Sequence, residues 1–270
     1  MERHNPTTGG GSRVAVVTGG AVRVGRAVSL RLAAEGFHVV VQYKTSAKEA
    51  RSLVAEMAAQ GGIASIHELD LTRPGAPRQL IEEAVRELGR LDLLVNSAAL
   101  FVDDAASLVE LARMKVLNAD VPAMLIDAAV PHLAAVGGSI VNVADVAGVV
   151  PLLGYKAYSA AKKHLLNITA RKALELAGRG VRVNAVCPGA VLFPESYSEP
   201  LRARAIAGIP LGRPGSPADV AGAVAYLAGA GFVTGQVLSV DGGRLLSLLD
   251  LGAREDRDLA PGTGGGDDVN

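Results

Sequence analysis

Short apolar segments alternate with helical segments along most of the chain, and this alternation constrains its fold more than any other feature. The runs RVAVVT at 13–18, FHVVVQY at 37–43 and LDLLVN at 91–96 predict buried strands. The segment after the first run has helical spacing, with Ala27, Leu30 and Ala34 on one face. Continuous apolar strands joined by helices indicate a parallel sheet covered on both faces. The sequence therefore predicts a single Rossmann-type, doubly wound α/β domain.

The remaining elements follow from the same patterns. The predicted strands are 13–18, 37–43, 63–69, 91–96, 139–143, 181–186 and 237–240, and the predicted helices are 23–35, 46–60, 79–88, 106–135 with a break near Pro122, 156–177 and 217–227. The segment 190–215 interrupts the alternation, and its length and prolines predict a lid over a substrate pocket. We expect one folded domain at 13–250, with flexible ends at 1–12 and 251–270.

Composition excludes several classes of function. Of 270 residues 49% are apolar, and 27 basic residues balance 27 acidic ones, so no net field favours nucleic acid or an anionic membrane. Residues 1–12 lack a signal-peptide pattern, and we expect no apolar run near the roughly 20 residues that a bilayer requires. The single cysteine, Cys187, predicts an inert buried thiol and a cytoplasmic protein. No spacing of His, Cys, Asp and Glu suggests a metal site.

The turn after the first strand, TGGAVRVG, predicts a dinucleotide site. Gly19 would allow the tight turn, Gly25 would let the helix pack closely, and amides at the helix start can hold a diphosphate. Arg23 stands where the usual fingerprint has a further glycine. Taken alone, this pattern is also that of an ordinary strand-to-helix turn.

The end of the second strand indicates which dinucleotide binds. An acid there would accept hydrogen bonds from a ribose 2′-hydroxyl, but the chain has Lys44, Thr45 and Ser46. This favours NADPH, although Lys44 could equally be an ordinary solvated lysine. Asp70 after the third strand could hold the adenine amino group. The small residues that follow Asn96 would let the cofactor lie close.

Tyr158 and Lys162 lie four residues apart in YSAAK, on one face of a predicted helix. We expect the Lys162 ammonium to lower the pKa of the Tyr158 phenol, which could then deliver a proton while NADPH delivers hydride. Lys162 could also bind the nicotinamide ribose. The alternative is a helix-surface pair of no consequence.

With these motifs in place, the chain resembles the short-chain dehydrogenase/reductase family over residues 13–245. TGGAVRVG, Asp70-Leu71, NSAA at 96–99, Asn118, YSAAK, Pro188-Gly189 and VDGG at 240–243 fall in the family's order. The resemblance implies a homotetramer in which the long helices 106–135 and 156–177 pair, and a proton relay supported by Asn118 in a kinked helix. Motifs and resemblance together predict cofactor contacts from Gly19, Arg23, Val24, Lys44, Thr45, Ser46, Asp70, Leu71, Asn96, Ser97, Ala98, Tyr158, Lys162, Pro188 and Gly189.

One departure from the family pattern narrows the substrate. Thirteen residues before Tyr158 the family usually has serine, and this chain has Asp145. That change, Arg23, Phe101 in NSAALF and the run PLLGYKAYSAAK resemble the pteridine reductases. The resemblance implies that Phe101 stacks a pterin, Arg23 contacts cofactor and pterin, and Asp145 works with Tyr158. The chain departs from those enzymes at Lys44-Thr45, where they often have histidine and arginine, and at Ala99, where serine is common.

An electrostatic argument supports the same prediction. Ketone reduction builds negative charge on oxygen, and a carboxylate there would repel it by up to about 4 kcal/mol at about 4 Å and an effective dielectric constant near 20. Reduction of a C=N bond needs a proton on nitrogen, which an Asp–Tyr pair can relay. The sequence thus predicts an NADPH-dependent reductase of a pterin or folate. The alternatives are a 3-oxoacyl-carrier-protein-type carbonyl reductase, a non-catalytic NADP-sensing protein and, for Asp145 itself, a simple cap.

Overall fold

Seven parallel strands form one sheet at the centre of this computed structural model, which describes residues 12–193 and 198–249. The strands are β1 Arg13–Val17, β2 Phe37–Tyr43, β3 Ile63–Glu68, β4 Leu93–Asn96, β5 Ser139–Val143, β6 Arg182–Pro188 and β7 Val237–Val240. Their order across the sheet is β3-β2-β1-β4-β5-β6-β7. The direction of winding reverses between β1 and β4, and in such sheets ligands bind at the carboxyl ends of the strands beside this reversal.

Helices cover both faces of the sheet. They are α1 Arg23–Ala34, α2 Ala47–Ala59, α3 Ala76–Leu88, α4 Leu108–Lys115, α5 Val121–Val136, α6 Lys156–Ala177, α7 Glu199–Ala207 and α8 Pro217–Gly229. Along β1, Ala15 and Val17 belong to the core under α1, α2 and α8, whereas Val14 and Val16 belong to the core under α3, α5 and α6. Because both faces of the strand are buried, every one of these positions is apolar. The predicted Rossmann-type fold is confirmed.

Most predicted elements lie where the patterns placed them, and the differences are local. β2, β5, β7 and α6 have the predicted bounds, and α3 begins three residues earlier than predicted, with Pro77 in its first turn. Helix α7, inside the predicted lid segment, and the helical residues 244–249 were not predicted. Residues 194–197 of that segment, residues 1–11 and residues 250–270 lie outside the described part, as do the predicted flexible ends apart from residue 12.

The predicted break near Pro122 is a π-helical turn at Val116–Asp120 between α4 and α5. Pro122 has no N–H to continue the α-helical bonding, and the N–H of Val121 bonds the more distant carbonyl of Val116. The helical run Leu108–Val136 is long and apolar enough to resemble a membrane span by length and composition. Its α5 part packs on the sheet, so we assign it to the core.

Candidate active site and cofactor groove

Two glycines of the turn after β1 are required by backbone contacts. Gly19 has φ +60°, and its N–H donates to Oε1 of Gln42 at 2.9 Å. A Cβ on Gly25 would lie 2.1 Å from the carbonyl oxygen of Gly19. The first turn of α1 is therefore pressed against the chain leaving β1, which fits the predicted seat for a diphosphate.

Arg23 is the one non-glycine residue with positive φ in the described ranges, at +53°. It occupies the position at which the usual fingerprint has glycine, and the left-handed backbone explains that preference. A side chain in this conformation costs roughly 1–2 kcal/mol. Such strain persists where the surroundings fix the backbone, and it is concentrated at functional sites.

A cavity of about 300 Å³ beside this turn carries several positive charges. One guanidinium nitrogen of Arg26, Nη1, is buried without a hydrogen-bond partner among the described residues, while Nη2 pairs with Glu56. Three cationic residues and one acidic residue line the cavity, so its charge suits an anionic group of a cofactor. The lining residues are Ala21, Val22, Arg23, Arg26, Lys48, Glu49 and Ser52.

Two buried polar residues that the sequence analysis did not single out hold the strand ends together. Gln42 accepts from Gly19 and donates from Nε2 to the carbonyl of Leu69 at 2.7 Å, so it joins the ends of β1, β2 and β3. The Thr18 hydroxyl oxygen accepts from the N–H groups of Ser97 and Ala98 at 2.9 and 3.0 Å. The sequence signal that could have found both residues is a polar residue at the carboxyl end of an otherwise apolar strand.

Lys44 and Asp70, which the sequence assigned to opposite ends of the adenosine, are paired with each other. Lys44 Nζ lies 2.6 Å from Asp70 Oδ2, and Arg113 lies 3.5 Å from the same oxygen. Oδ1 accepts from the N–H and hydroxyl of Thr72 at 3.1 and 2.7 Å. A carboxylate offers about four lone-pair positions. Asp70 can therefore accept from an adenine amino group only if one of these partners leaves.

The other predicted cofactor residues fall into two groups. Thr45, Ser46, Ser97 and Gly189 follow the ends of β2, β4 and β6; Ser46 is the N-cap of α2, but its side chain makes no capping hydrogen bond. Asn96 is buried and donates to Asn142 Oδ1 at 2.8 Å, so its side chain supports the sheet. Leu71 is buried, Val24 packs on the α1 side of the core, Pro188 ends β6, and Ala98 lies within 3.0 Å of a Cβ built on Gly19.

Tyr158 and Asp145 are in direct contact at the carboxyl end of β5. The Tyr158 hydroxyl donates to Asp145 Oδ2 at 2.9 Å, and Asp145 Oδ1 accepts from the N–H of Ala147 at 2.8 Å. The second bond caps the 3₁₀ turn Val146–Gly148. The aspartate thus has both arrangements that the sequence left open, since one oxygen caps a turn while the other meets the phenol.

Lys162 is buried one helical turn beyond Tyr158. Its Nζ donates to the carbonyl of Val143 at 3.0 Å and lies 5.7 Å from the centre of the Tyr158 ring. Burial lowers the pKa of Lys162, and the nearby Asp145 carboxylate only partly opposes this shift.

The expectation of a lowered pKa for Tyr158 is wrong. Burial first, and then the charge and hydrogen bond of Asp145, raise the pKa of Tyr158 well above its usual value. Burial also raises the pKa of Asp145, against the opposing effects of the Ala147 N–H, Lys162 and Tyr158. The phenol therefore keeps its proton at neutral pH, as a proton donor must before the reaction.

Phe101 lies beside this pair. Its ring stacks on Tyr155 with centroids 4.4 Å apart and meets the edge of Tyr158 at 4.8 Å. Phe101 is 43% exposed, so it forms a wall rather than a core contact. The buried side chain of Asn118, in the π-helical turn, bonds both backbone groups of Leu100 at 2.8 Å and so fixes the residue before this wall.

Cys187 lies in β6. It is fully buried, and burial raises the pKa of its thiol to about 12, as expected for an inert cysteine. Within residues 12–193 and 198–249, no group of three or more His, Cys, Asp and Glu side chains is arranged to hold a metal ion.

With fold and site described, comparison with known proteins defines the class. The family model described as enoyl-(acyl carrier protein) reductase matches residues 20–244. A 3-oxoacyl-[acyl-carrier-protein] reductase of Synechocystis sp. is 37% identical over 243 residues, covering 87% of this chain and 98% of that protein. The chain belongs to the short-chain dehydrogenase/reductase family of oxidoreductases.

Two solved structures are similar over nearly their whole length. A Serratia marcescens short-chain dehydrogenase/reductase mutant has a TM-score of 0.81 at 33% identity, covering 86% of this chain and 98% of that one. A blue fluorescent protein from a metagenomic library, solved in complex with NADPH, has a TM-score of 0.81 at 33% identity, covering 87% and 98%. The names of the carrier-protein-linked relatives favour the carbonyl-reductase alternative over the pteridine prediction.

Proposed function

We propose that the protein is an NADPH-dependent reductase of a pteridine-like heterocycle, with Tyr158 as the proton donor. The observation that carries this proposal is the 2.9 Å hydrogen bond from the Tyr158 hydroxyl to Asp145. A serine at position 145 could donate to the oxygen of a reacting ketone, whereas an ionised aspartate cannot. A carboxylate suits a substrate that presents N–H groups and gains a proton on nitrogen.

The proton step uses Oδ2 of Asp145, the oxygen that meets the Tyr158 hydroxyl. NADPH, when bound, would supply the hydride that reduces the carbon of a C=N bond. Tyr158 gives its hydroxyl proton to the nitrogen, and the resulting phenolate recovers a proton from solvent through Asp145, which the hydroxyl contacts at 2.9 Å. Lys162, one helical turn beyond Tyr158, would bind the nicotinamide ribose in this proposal.

In this proposal the cofactor is held by the turn after β1 and by residues at the ends of β2, β4 and β6. The left-handed Arg23 and the cationic cavity beside it suit phosphate groups. Phe101 provides an exposed aromatic face for a flat substrate ring, next to Tyr158. A single buried cysteine fits a reducing, cytoplasmic setting.

A second candidate is a 3-oxoacyl-carrier-protein-type carbonyl reductase, which the name of the Synechocystis relative favours. In that case Asp145 would act only as the cap of the 3₁₀ turn, and Tyr158 would protonate an alkoxide. A third candidate, an NADP sensor without turnover, is disfavoured by the contact of Tyr158 with its proton partner.

Initial rates with NADPH separate these candidates. The substrates are dihydrobiopterin, dihydrofolate and an acetoacetyl thioester, each tested at saturating cofactor with the disappearance of NADPH as the signal. We expect turnover of a dihydropterin or dihydrofolate to exceed that of the thioester. A faster thioester reaction would assign the carbonyl-reductase function, and NADPH binding without any turnover would favour the sensor.

Lys44→Ala is expected to weaken NADPH binding by up to about fivefold and to leave NADH nearly unchanged. The effect is modest because the exposed Lys44 must give up Asp70 to reach a 2′-phosphate, and exposed ion pairs contribute little. Titrating each cofactor with the variant measures this selectivity. The variant to compare with Lys44→Ala is Lys48→Ala, which removes a lysine from the lining of the cationic cavity. Equal losses for both cofactors would remove Lys44 from 2′-phosphate recognition.

A homotetramer is part of the same proposal. Large apolar side chains are exposed on α4, α5 and α6, where Leu108, Met124 and Leu174 are 84%, 53% and 84% exposed. Surfaces of this kind are often covered by a second copy of the chain. Light scattering at micromolar concentration should give four times the mass of one chain, and a stable monomer would contradict the proposal.

A further inference from the structure

The helix that carries Tyr158 and Lys162 begins without a cap from its own sequence. Tyr155 is the N-cap residue of α6 and makes no side-chain capping hydrogen bond, and the first turn contains no acidic residue. The first N–H groups of any helix lack partners within the helix, and the positive end of its dipole favours an acceptor with negative charge. The start of α6 therefore needs an acceptor from elsewhere in the chain.

Asp104, from the loop after β4, provides that acceptor. Its Oδ2 accepts from the N–H of Lys156 at 3.0 Å, and its Oδ1 accepts from the N–H of Ala157 at 3.1 Å. The backbone N–H of Asp104 donates to the carbonyl of Gly154 at 2.9 Å. The two hydrogen bonds to the carboxylate lower the pKa of Asp104, so the side chain is charged at neutral pH.

The same loop carries the aromatic wall of the site. Phe101 lies three residues before Asp104 and stacks on Tyr155, the residue at the start of α6. Segment 101–104 is thus joined to segment 154–158 by a ring stack at one end and by Asp104 at the other. Phe101 is 43% exposed, so these contacts help to fix its position, together with the two bonds of Asn118 to Leu100.

We propose that Asp104 is a positioning residue that sets the distance between the Phe101 wall and Tyr158. In this proposal Asp104 acts through Phe101 and not by contacting substrate or cofactor itself. The proposal rests on the proposed function only in that Phe101 contacts the substrate. It holds for whichever of the three test substrates the enzyme turns over, so its failure is distinct from a failure of the pteridine assignment.

Asp104→Ala is expected to raise KM for the best substrate about tenfold and to change kcat less than about threefold. A misplacement of about 1 Å can cost about 10²-fold, and the stack on Tyr155 should limit the movement of Phe101. The Kd for NADPH should stay at the wild-type value, because Asp104 bonds segment 154–157 and none of the residues proposed to hold the cofactor phosphates. Asp104→Asn retains one carbonyl acceptor and should recover part of the loss.

The matched control is Asp103→Ala. Asp103 is also exposed, and its carboxylate accepts within its own loop from the N–H of Ala105 at 3.0 Å. This variant should have wild-type KM, whereas a loss equal to that of Asp104→Ala would reduce the effect to general damage of the loop.

A double-mutant cycle with Phe101→Ala tests the route of the effect. If Asp104 acts through Phe101, Asp104→Ala should add little to KM once the ring is gone. Additive losses, a weakened NADPH Kd or wild-type kinetics in Asp104→Ala would each overturn the proposal. If Asp104→Ala does not fold, the same cycle is run with Asp104→Asn, and the same outcomes decide.

Discussion

Replacement of Asp145 by alanine should lower kcat for a dihydropterin on the order of 10²-fold, the size of loss typical when a general acid is impaired. The Tyr158 hydroxyl would lose the oxygen that it contacts at 2.9 Å and through which the proposal returns its proton. NADPH affinity should hardly change, because Asp145 is not among the residues proposed to contact the cofactor. Steady-state kinetics and a cofactor titration measure the two quantities.

Asp145→Asn separates the two tasks of this side chain. The asparagine carbonyl can still accept from Ala147 and cap the 3₁₀ turn, but the side chain cannot take up or release a proton. We expect the asparagine variant to lose about as much activity as the alanine variant. Wild-type turnover in Asp145→Asn would mean that the residue is only a cap, and the pteridine assignment would lose its main support.

Asp145→Ser tests the electrostatic argument from the opposite direction. A serine can donate to a developing alkoxide, so any ketone reductase activity should rise as pterin reduction falls. A variant that loses pterin reduction and gains nothing on the acetoacetyl thioester would show that other residues exclude the thioester.

The fold was predictable because its signals are local. β2 and α6 have the predicted bounds. The pattern of an apolar run buried on both faces, like that of a helix of 22 residues, can be read within one segment. Helix α7 was missed because it has no buried residue and hence no apolar stripe. The π turn at Val116–Asp120 appeared in the sequence only as a proline in a helical pattern.

Spacing within one helix located Tyr158 and Lys162, and a departure from the family pattern singled out Asp145. Tyr158, Lys162 and Asp145 come together as predicted, but the direction of the Tyr158 pKa shift did not follow from spacing. That shift depends on burial by distant segments and on which oxygen the phenol meets. The Lys44–Asp70 pair and the Asp104 cap join residues 26 and 52 positions apart, and a motif carries no information about such contacts.

Gly25→Ala should raise the Kd for NADPH at least about tenfold. The added Cβ would lie 2.1 Å from the Gly19 oxygen and 3.0 Å from Gly20 Cα, and backbone atoms cannot rotate away as a side chain does. Overpacking of this kind typically costs about 1–3 kcal/mol, and about 1.4 kcal/mol corresponds to a tenfold change in affinity. Part of that cost should appear as a shift of the α1 start, where the cofactor phosphates are proposed to bind.

Gly222→Ala is the matched control for this prediction. Gly222 lies in α8, and a Cβ there would meet no atom within 4 Å. Alanine in a helix interior is more favourable than glycine by up to about 1 kcal/mol, so this variant should melt at a higher temperature and bind NADPH as the wild type does. Thermal melts of both variants measure their stability, and NADPH fluorescence titrations measure their affinity for the cofactor. Wild-type NADPH affinity in Gly25→Ala would show that the turn relaxes freely, and the close contact between Gly19 and Gly25 would then have no part in cofactor binding.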